Sequence, residues 1–419
     1  MLTKFKPKSE FGRNILKLAN TSIIATLISL LSLPIITRIY NPSVFGEFQI
    51  LLSTIGLLSV ISSFRYEMAI VLPKNKTEAN AVYGLSIILL IITTVIFSFL
   101  LYFFGSWFLN LINAQVLEPY IFMLVIGIFL SGAVQIARFV LTKEKNFHKL
   151  GNNRVIEAGT TQGLKIGIGL VSPTFLGLFI SQLVGYVLSL YLAMKKSTVK
   201  FSLSKKRLWT VFRKYKKFLY FNTPAVFVNT LALQLPIFFI AKYFGTEYVG
   251  YYMLALRLIE VPLKIVGNAI SQVYYKEAAD TYHKGADKLL NLYLSTVKKL
   301  ALFMILPSIL IYFVSEPLIP YVLGENWAMT GQLMSMLVLW KFFEFINYPI
   351  STTYTIINKQ EFEIYINTFF IIPRFLIFIY FHEDFFQTLW LYIFVTTLFY
   401  CLYNLGIYHF LKRKIIEGN

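Results

Sequence analysis

Three observations predict an all-α, polytopic membrane protein: a hydrophobic composition, twelve long apolar stretches, and basic residues confined almost entirely to one side of those stretches. Hydrophobic residues make up 57% of the 419-residue chain, and charged residues only 14%. A soluble protein of this length needs a far more highly charged surface. Each stretch has the roughly 20 residues that a helix needs to cross hydrocarbon, where open strands would leave backbone groups unsatisfied. The stretches are therefore predicted to be transmembrane helices.

The longest polar interruption, residues 195–217, carries ten Lys and Arg residues and divides the chain into halves with six stretches each. The predicted spans are 16–39, 45–64, 81–104, 120–141, 154–171 and 174–194 in the first half, and 218–241, 249–274, 292–314, 333–354, 362–381 and 386–410 in the second. We therefore predict an N-terminal six-helix lobe at 1–194, a basic cytoplasmic linker at 195–217, and a C-terminal six-helix lobe at 218–419.

The distribution of the 39 Lys and Arg residues predicts the orientation of these spans. Only Arg38 and Lys242 lie toward the loops of one side, and five basic residues sit well inside apolar segments: Lys165, Arg257, Lys264, Lys341 and Arg374. The others lie in the tails and loops of the opposite side. Positively charged loops resist translocation, so that side is predicted to be cytoplasmic, together with both termini. This bias explains the net charge of +19 better than nucleic-acid binding does, and the basic loops are expected to contact anionic membrane lipids.

The two halves share a faint internal similarity. A leucine–proline pair near the outer end of the opening span, at 33–34 and at 235–236, is followed by a glycine that starts the next span, Gly46 and Gly250. Six spans per half give both copies the same orientation. A duplication would thus create two parallel lobes related by an axis along the membrane normal, as in transporters that bind their cargo between two bundles.

Charged residues inside the predicted spans are the candidate functional residues, because an ionisable group in hydrocarbon is costly and usually faces a water-filled path or a ligand. Their spacing of three or four residues places them on shared helix faces. The predicted substrate-binding cations of a central cationic cavity are Arg257, Lys264, Lys341, Arg374, Lys165, Arg154 and Arg138. The predicted charge-balancing or ion-coupling acids are Glu260, Glu344 and Glu157, with Glu260 the leading candidate for coupling. Structural ion pairs or snorkelling side chains are the alternative interpretation.

Four of these cations, Arg257, Lys264, Lys341 and Arg374, lie deep in their spans and outnumber the acids near them, which favours an anionic ligand. The sequence has no HExxH, cysteine-pair or nucleotide-loop motif, and its single cysteine is Cys401. We therefore expect no catalytic residues, no metal, no cofactor and no enzymatic activity.

Four segments of the sequence carry a family resemblance: the opening segment 35–48, the Phe-Arg-Tyr-Glu-Met-Ala-Ile-Val-Leu-Pro sequence at 64–73, and the segments 248–252 and 269–275. Together they resemble the bacterial polysaccharide-biosynthesis and O-antigen flippases (Wzx-like) of the multidrug/oligosaccharidyl-lipid/polysaccharide exporter superfamily. The resemblance implies two six-helix lobes around a cationic cavity. It also implies translocation of undecaprenyl-diphosphate-linked oligosaccharide units to the outer leaflet of the cytoplasmic (inner) membrane, for O-antigen, lipopolysaccharide, capsule or exopolysaccharide assembly.

Glycan polymerase and chain-length proteins are the partners that this function suggests, and nucleic acid is not expected to be one. Two alternatives remain open: a drug or peptide exporter of the same superfamily, and a membrane glycan polymerase, ligase or acyltransferase. The first predicted span lacks the acid that is typical of drug exporters. The longest predicted outer loop, around 315–330, has no Lys or Arg for gripping a diphosphate.

Overall fold

The computed structural model describes residues 10–416, with side chains from residue 20 onward, and every regular element in this part of the chain is helical. The all-α prediction is therefore confirmed. The ends of the predicted cytoplasmic tails, residues 1–9 and 417–419, lie outside the described residues.

The first ten helices occupy residues 10–244. They are α1 (Glu10–Leu31), α2 (Leu33–Ile39), α3 (Pro42–Ser59), α4 (Tyr66–Ala69), α5 (Lys76–Leu111), α6 (Ile121–Lys143), α7 (Phe147–Val171), α8 (Phe175–Met194), α9 (Lys205–Lys214) and α10 (Thr223–Phe244). A 3₁₀ turn, Gln115–Tyr120, precedes α6, and a π-helical turn, Phe218–Asn222, precedes α10. The helix starts follow local chemistry: the Asn41 and Asn75 side chains accept hydrogen bonds from free backbone N–H groups at the starts of α3 and α5.

The remaining helices are fewer and longer. They are α11 (Thr246–Tyr282), α12 (Ala286–Leu323), α13 (Ala328–Ile350), α14 (Thr353–Ile356), α15 (Gln360–Tyr380) and α16 (Phe385–Ile416). The prediction of a long loop around 315–330 is wrong. Helix α12 continues to Leu323, and a 3₁₀ turn, Glu325–Trp327, leads directly into α13.

By length and composition alone, eight helical segments of the described chain could cross a membrane, which supports a multi-pass membrane protein. They are Asn20–Ile39, Lys76–Leu111, Gln115–Lys143, Phe175–Met194, Phe218–Phe244, Ala286–Leu323, Gln360–Tyr380 and Phe385–Ile416. Three of the other predicted spans correspond to α7, α11 and α13, which carry eight of the ten charged residues predicted as site residues. The twelve-span, two-lobe arrangement stays a prediction.

The chain divides into two compact units, a first unit up to Gly250 and a second unit from Tyr251 onward. In the first unit, α7 packs against α1 and α8, α6 packs against α3, α5 and α8, and α9 packs against α5. In the second unit, α12 packs against α13 and α16, and α15 packs against α16. The predicted lobes divide elsewhere, at the 195–217 segment, and remain a prediction.

The second predicted span ends earlier than expected. Instead of continuing to residue 64, α3 ends at Ser59, and the chain turns through residues 60–65 before the short α4. Phe64 and Arg65 both adopt left-handed backbone conformations, with φ of 49° and 60°. Such conformations are uncommon for residues other than glycine, so contacts made by the neighbouring side chains must stabilise this turn.

The two glycines that the internal similarity aligned lie against each other in the first unit. A Cβ atom on Gly46 would clash with the Thr246 carbonyl and lie 2.9 Å from the Gly250 nitrogen. The hydroxyls of Ser43 and Thr246 are 3.1 Å apart at the same crossing. The absence of both side chains therefore allows α3 and the start of α11 to approach at backbone distance.

Candidate functional site

The ion pairs among the described residues of the second unit form one cluster around Lys341 on α13. This residue is 3% exposed, and its ammonium lies 2.5 Å from Glu260 Oε1 of α11 and 2.6 Å from Glu344 Oε2 of its own helix. Glu260 in turn accepts a 2.5 Å bond from Lys264, one helical turn along α11. The four residues therefore form a continuous ion-pair chain with two positive and two negative charges.

Aromatic rings enclose the buried end of this ion-pair chain. The Trp340 indole nitrogen donates to Glu344 Oε2 over 2.8 Å, and the Lys341 ammonium lies 4.7 Å from the centroid of the Trp340 ring. Trp340 also packs edge-on against Tyr392 of α16, with ring centroids 5.3 Å apart. The partly buried carboxylate and the buried ammonium thus have the hydrogen-bond partners that burial of charge requires.

The exposed end of the chain is Lys264, whose side chain is 58% exposed. A pair with so much exposure contributes little to stability, because solvent screens it and both side chains lose rotamer freedom. Lys264 therefore has the freedom to exchange its carboxylate partner for another anion, whereas Lys341 does not.

Two predicted cations of the second unit stand outside the ion-pair chain. Arg257 lies on α11, three residues before Glu260, yet it forms no ion pair with any residue that the structure describes. Arg374 lies on α15, with its guanidinium 4.6 Å above the centroid of the Phe399 ring. Its Nε and Nη2 atoms are buried without a hydrogen-bond partner among the described residues. Buried donors are normally paired, so Arg374 is the site's clearest unsatisfied group.

The predicted cations of the first unit have neutral or acidic partners. Arg138 Nη2 on α6 lies 2.7 Å from Glu157 Oε2 on α7, while its Nε is buried without a partner among the described residues. Arg154 donates to the Ser22 hydroxyl over 2.9 Å. Lys165 is buried, and its ammonium lies 4.4 Å from the centroid of the Phe48 ring.

The predicted site residues do not include Glu67, which is a buried acid. Glu67, on α4 directly after the turn that follows α3, is 1% exposed and accepts hydrogen bonds from the Ser63 hydroxyl and, over 3.1 Å, from the Gln135 amide. Arg65 Nη1 lies 3.3 Å from the same carboxylate, and Arg65 Nε donates to Asn222 Oδ1 over 3.3 Å. Glu67 lies between predicted spans two and three, and burial raises the pKa of its carboxyl above the usual value.

This network explains how the left-handed turn is stabilised. The Glu67 carboxylate holds Ser63 from one side of Phe64 and Arg65 from the other, so the strained residues are fixed at both ends. The only sequence signal was the quoted 64–73 motif, because nothing in the hydrophobic pattern marks a left-handed residue.

The structure brings together Glu260, Lys264, Lys341 and Glu344 in the second unit, and Arg138 with Glu157 in the first. It does not pair Arg257 with Glu260, nor Arg154 with Glu157, although their spacing placed each pair on one helix face. The substrate-binding and coupling roles of all ten predicted residues remain predictions.

Long apolar helices and charged residues inside them define the class: a multi-pass membrane protein. A family model described as "Polysaccharide biosynthesis protein" matches residues 35–331, so the chain belongs to that family. The family resemblance that the sequence motifs indicated is confirmed.

Similar proteins add to this assignment. The chain is 22% identical over 315 residues to the succinoglycan biosynthesis transport protein ExoT of Rhizobium meliloti (strain 1021), a match that covers 74% of this chain but only 62% of the relative. The structure of the lipid II flippase MurJ in an inward closed conformation has a TM-score of 0.71 at 15% identity, over 93% of this chain and 86% of that one. An inward-facing multidrug resistance MATE family transporter of the MOP superfamily has a TM-score of 0.65 at 16% identity, over 96% and 94% of the two chains. Both structures share the fold with this protein.

Proposed function

We propose that this protein is a flippase. It moves undecaprenyl-diphosphate-linked oligosaccharide units from the inner to the outer leaflet of the bacterial cytoplasmic membrane, for the assembly of O-antigen, capsule or exopolysaccharide. Family membership and the transport role in the name of its succinoglycan relative support the proposal. Both termini lie in the cytoplasm, the transport is not enzymatic, and the twelve-span, two-lobe arrangement is part of the proposal.

The observation that carries the proposal is Arg374, which has no carboxylate partner among the described residues. Its guanidinium lies inside an apolar helix with two buried nitrogens that lack a hydrogen-bond partner in that part of the chain, while Glu260 and Glu344 of the same unit are already bound to lysines. A diphosphate presents the oxygens that a guanidinium binds best, in pairs and with charge assistance. Arg257, which has no ion-pair partner among the described residues, supplies a second positive charge in the same unit.

Such a site meets the physical requirement of the cargo. A diphosphate and a hydrated glycan cannot cross about 30 Å of hydrocarbon unaided, because each desolvated polar group costs several kilocalories per mole. Cations held at membrane depth compensate for that loss, while the polyprenyl tail stays in lipid.

The test compares arginine variants in the native host. Arg374→Ala and Arg257→Ala should each abolish surface polysaccharide and cause lipid-linked oligosaccharide to accumulate, with the amount of membrane-inserted protein unchanged. Lys288→Ala, which removes an exposed charge from the same unit, is the matched control and should leave the polysaccharide at the wild-type level. Normal surface polysaccharide in both arginine variants would refute the proposed role of these residues.

A deletion strain separates this function from its rivals. Loss of the protein should raise the ratio of lipid-linked oligosaccharide in the inner leaflet to that in the outer leaflet. If the ratio stays normal and cationic dyes accumulate in the cells instead, the protein is a drug exporter. If full-length lipid-linked units reach the outer leaflet but remain unpolymerised, it acts as a polymerase.

A further inference from the structure

The basic segment 195–217 is a folded part of the first unit. Its helix α9 packs on the start of α4: Phe212 stacks on Tyr66 with ring centroids 5.8 Å apart and an interplanar angle of 11°. The Tyr66 hydroxyl donates to the Phe212 carbonyl over 3.0 Å, and Val211 is buried beside them. Lys214 at the end of the helix lies 2.5 Å from Glu78 at the start of α5. One face of α9 is thereby fixed.

The residues before α9 hold it beside the start of α5 and the end of α6. The Lys200 N–H donates to Asn80 Oδ1 over 2.9 Å, and the Thr198 N–H donates to Glu144 Oε1 over 2.6 Å. A side chain on Gly84 would collide with the carbonyl of Ser202. The segment therefore crosses the first turns of α5 and the end of α6, where these apolar helices begin and end.

The outward face of the segment combines aromatic rings with unpaired charge. Trp209 is 55% exposed although it stacks on Phe212, with centroids 5.5 Å apart, and the Arg213 guanidinium lies 4.9 Å from the centroid of its ring. Phe201 and Leu203 are also exposed. Residues 195–217 contain no acidic residue. Nine of the ten cations of the segment form no ion pair with any described residue, and six of these nine lie on α9 or directly after it: Lys205, Lys206, Arg207, Arg213, Lys216 and Lys217.

We propose that this outward face is a binding surface for the anionic headgroups of bilayer phospholipids. Trp, Phe and Leu side chains at the level where spanning helices end favour the headgroup boundary, and a lysine- and arginine-rich helix beside them attracts the anionic lipids of the cytoplasmic leaflet. A soluble acidic partner would match the charge, but it would leave Phe201 and Leu203 without an apolar environment. The stack of Trp209, Phe212 and Tyr66 holds the surface in place before lipid binds, so little side-chain entropy is lost on binding.

Lipid contact can be measured with a fluorophore on the full-length protein. Thr210 is exposed on α9, so Thr210→Cys in a Cys401→Ser background accepts a bimane label on a single thiol. The labelled protein is reconstituted in nanodiscs in which a fixed fraction of either phosphatidylglycerol or phosphatidylcholine has brominated acyl chains. At equal mole fractions, brominated phosphatidylglycerol should quench the label about twofold more strongly, and added salt should reduce the difference.

Two charge-matched variants test the residues responsible. The triple substitution Lys206→Gln, Arg207→Gln and Arg213→Gln should reduce the ratio of quenching by the two lipids to about one. The control Lys284→Gln, Lys288→Gln and Lys298→Gln removes three exposed charges from the second unit and should preserve the wild-type ratio. Elution of each variant at the wild-type volume in size-exclusion chromatography ensures that folded proteins are compared.

Three outcomes would overturn the proposal: a label that neither lipid quenches, a phosphatidylglycerol preference that survives the triple substitution, or one that the control substitution also abolishes. The measurement involves no translocation, so its failure would leave the proposed flippase function untouched.

Discussion

Replacing Lys341 with Met should be the most damaging single substitution in the ion-pair chain of the second unit. The ammonium lies 2.5 Å from Glu260 and 2.6 Å from Glu344. At an effective dielectric constant of about 20, each contact is worth roughly 6 kcal/mol before desolvation is subtracted. Removing one partner of a buried pair costs about 3 to 5 kcal/mol, since the remaining charge stays buried without compensation. Here two carboxylates would lie close together with one cation fewer.

Thermal unfolding of detergent-solubilised protein, followed by fluorescence-detected size-exclusion chromatography, measures this effect as a fall in Tm. Lys264→Met is the matched control, because Lys264 binds the same Glu260 carboxylate but is 58% exposed. It should cost no more than about 1 kcal/mol. Adding Glu260→Gln and Glu344→Gln to Lys341→Met should restore most of the lost Tm, since no uncompensated carboxylate remains and the exposed Lys264 is solvated by water. Equal Tm values for Lys341→Met and Lys264→Met would refute the reasoning.

Three further predictions follow from the first unit. Gly46→Ala should lower Tm by an amount equivalent to about 1 to 3 kcal/mol, because the added methyl group collides with the Thr246 carbonyl, whereas Gly163→Ala, where a methyl group meets open space, should not lower it. Burial raises the pKa of the Glu67 carboxyl, so the folded protein keeps the carboxyl proton to a higher pH than the unfolded chain does. The free energy of unfolding therefore falls as the pH rises above about 4.5, the usual pKa of a glutamate. The Glu67→Gln protein should therefore lose less Tm than wild type between about pH 5 and about pH 8, and identical pH profiles would contradict this. A thiol introduced by Ser204→Cys, in a background without the native cysteine, should react with a membrane-impermeant maleimide only after cells are permeabilised; labelling of intact cells would contradict the cytoplasmic assignment of this segment.

The helices were predictable because hydropathy and helix length both follow from the thickness of the bilayer. Their ends were not. The span predicted at 249–274 belongs to the helix Thr246–Tyr282, and the one at 292–314 belongs to Ala286–Leu323. Hydropathy detects only the part of a helix that lies in hydrocarbon. Backbone hydrogen bonds within a helix persist in water, so a helix continues into the polar boundary wherever its residues allow.

The turn after α3 could not be predicted from the sequence for a different reason. Residues 60–64 are as apolar as the helix before them, so the sequence predicted a longer span. The chain departs from helix because long-range contacts stabilise the alternative: Thr93 on α5 donates to the Ser62 carbonyl, and Gln135 on α6 donates to Glu67. Tertiary contacts of this kind override local propensity and leave no local trace.

Spacing along one helix predicted the contacts of Glu260 with Lys264 and of Lys341 with Glu344, since residues three or four apart share a helix face. Contacts between helices could not be read from spacing. The bond between Lys341 and Glu260 joins two helices, and so does the bond between Arg138 and Glu157. Glu157 thus pairs with Arg138 and not with Arg154, which lies three residues before it on the same helix.

These contacts between helices change the argument for an anionic cargo. Because Glu260 bonds both Lys264 and Lys341, the ion-pair chain is neutral as a whole, and the structural interpretation fits Lys341. Protonation of Glu260 would weaken its bonds to Lys264 and Lys341 at once, which is what a coupling residue requires. This role stays a prediction, and transport measurements on Glu260→Gln test it. The predicted binding cations of the second unit that lie outside this neutral chain are Arg257 and Arg374. The anion-binding hypothesis therefore depends on two arginines that lack a carboxylate partner among the described residues, rather than on four deep cations.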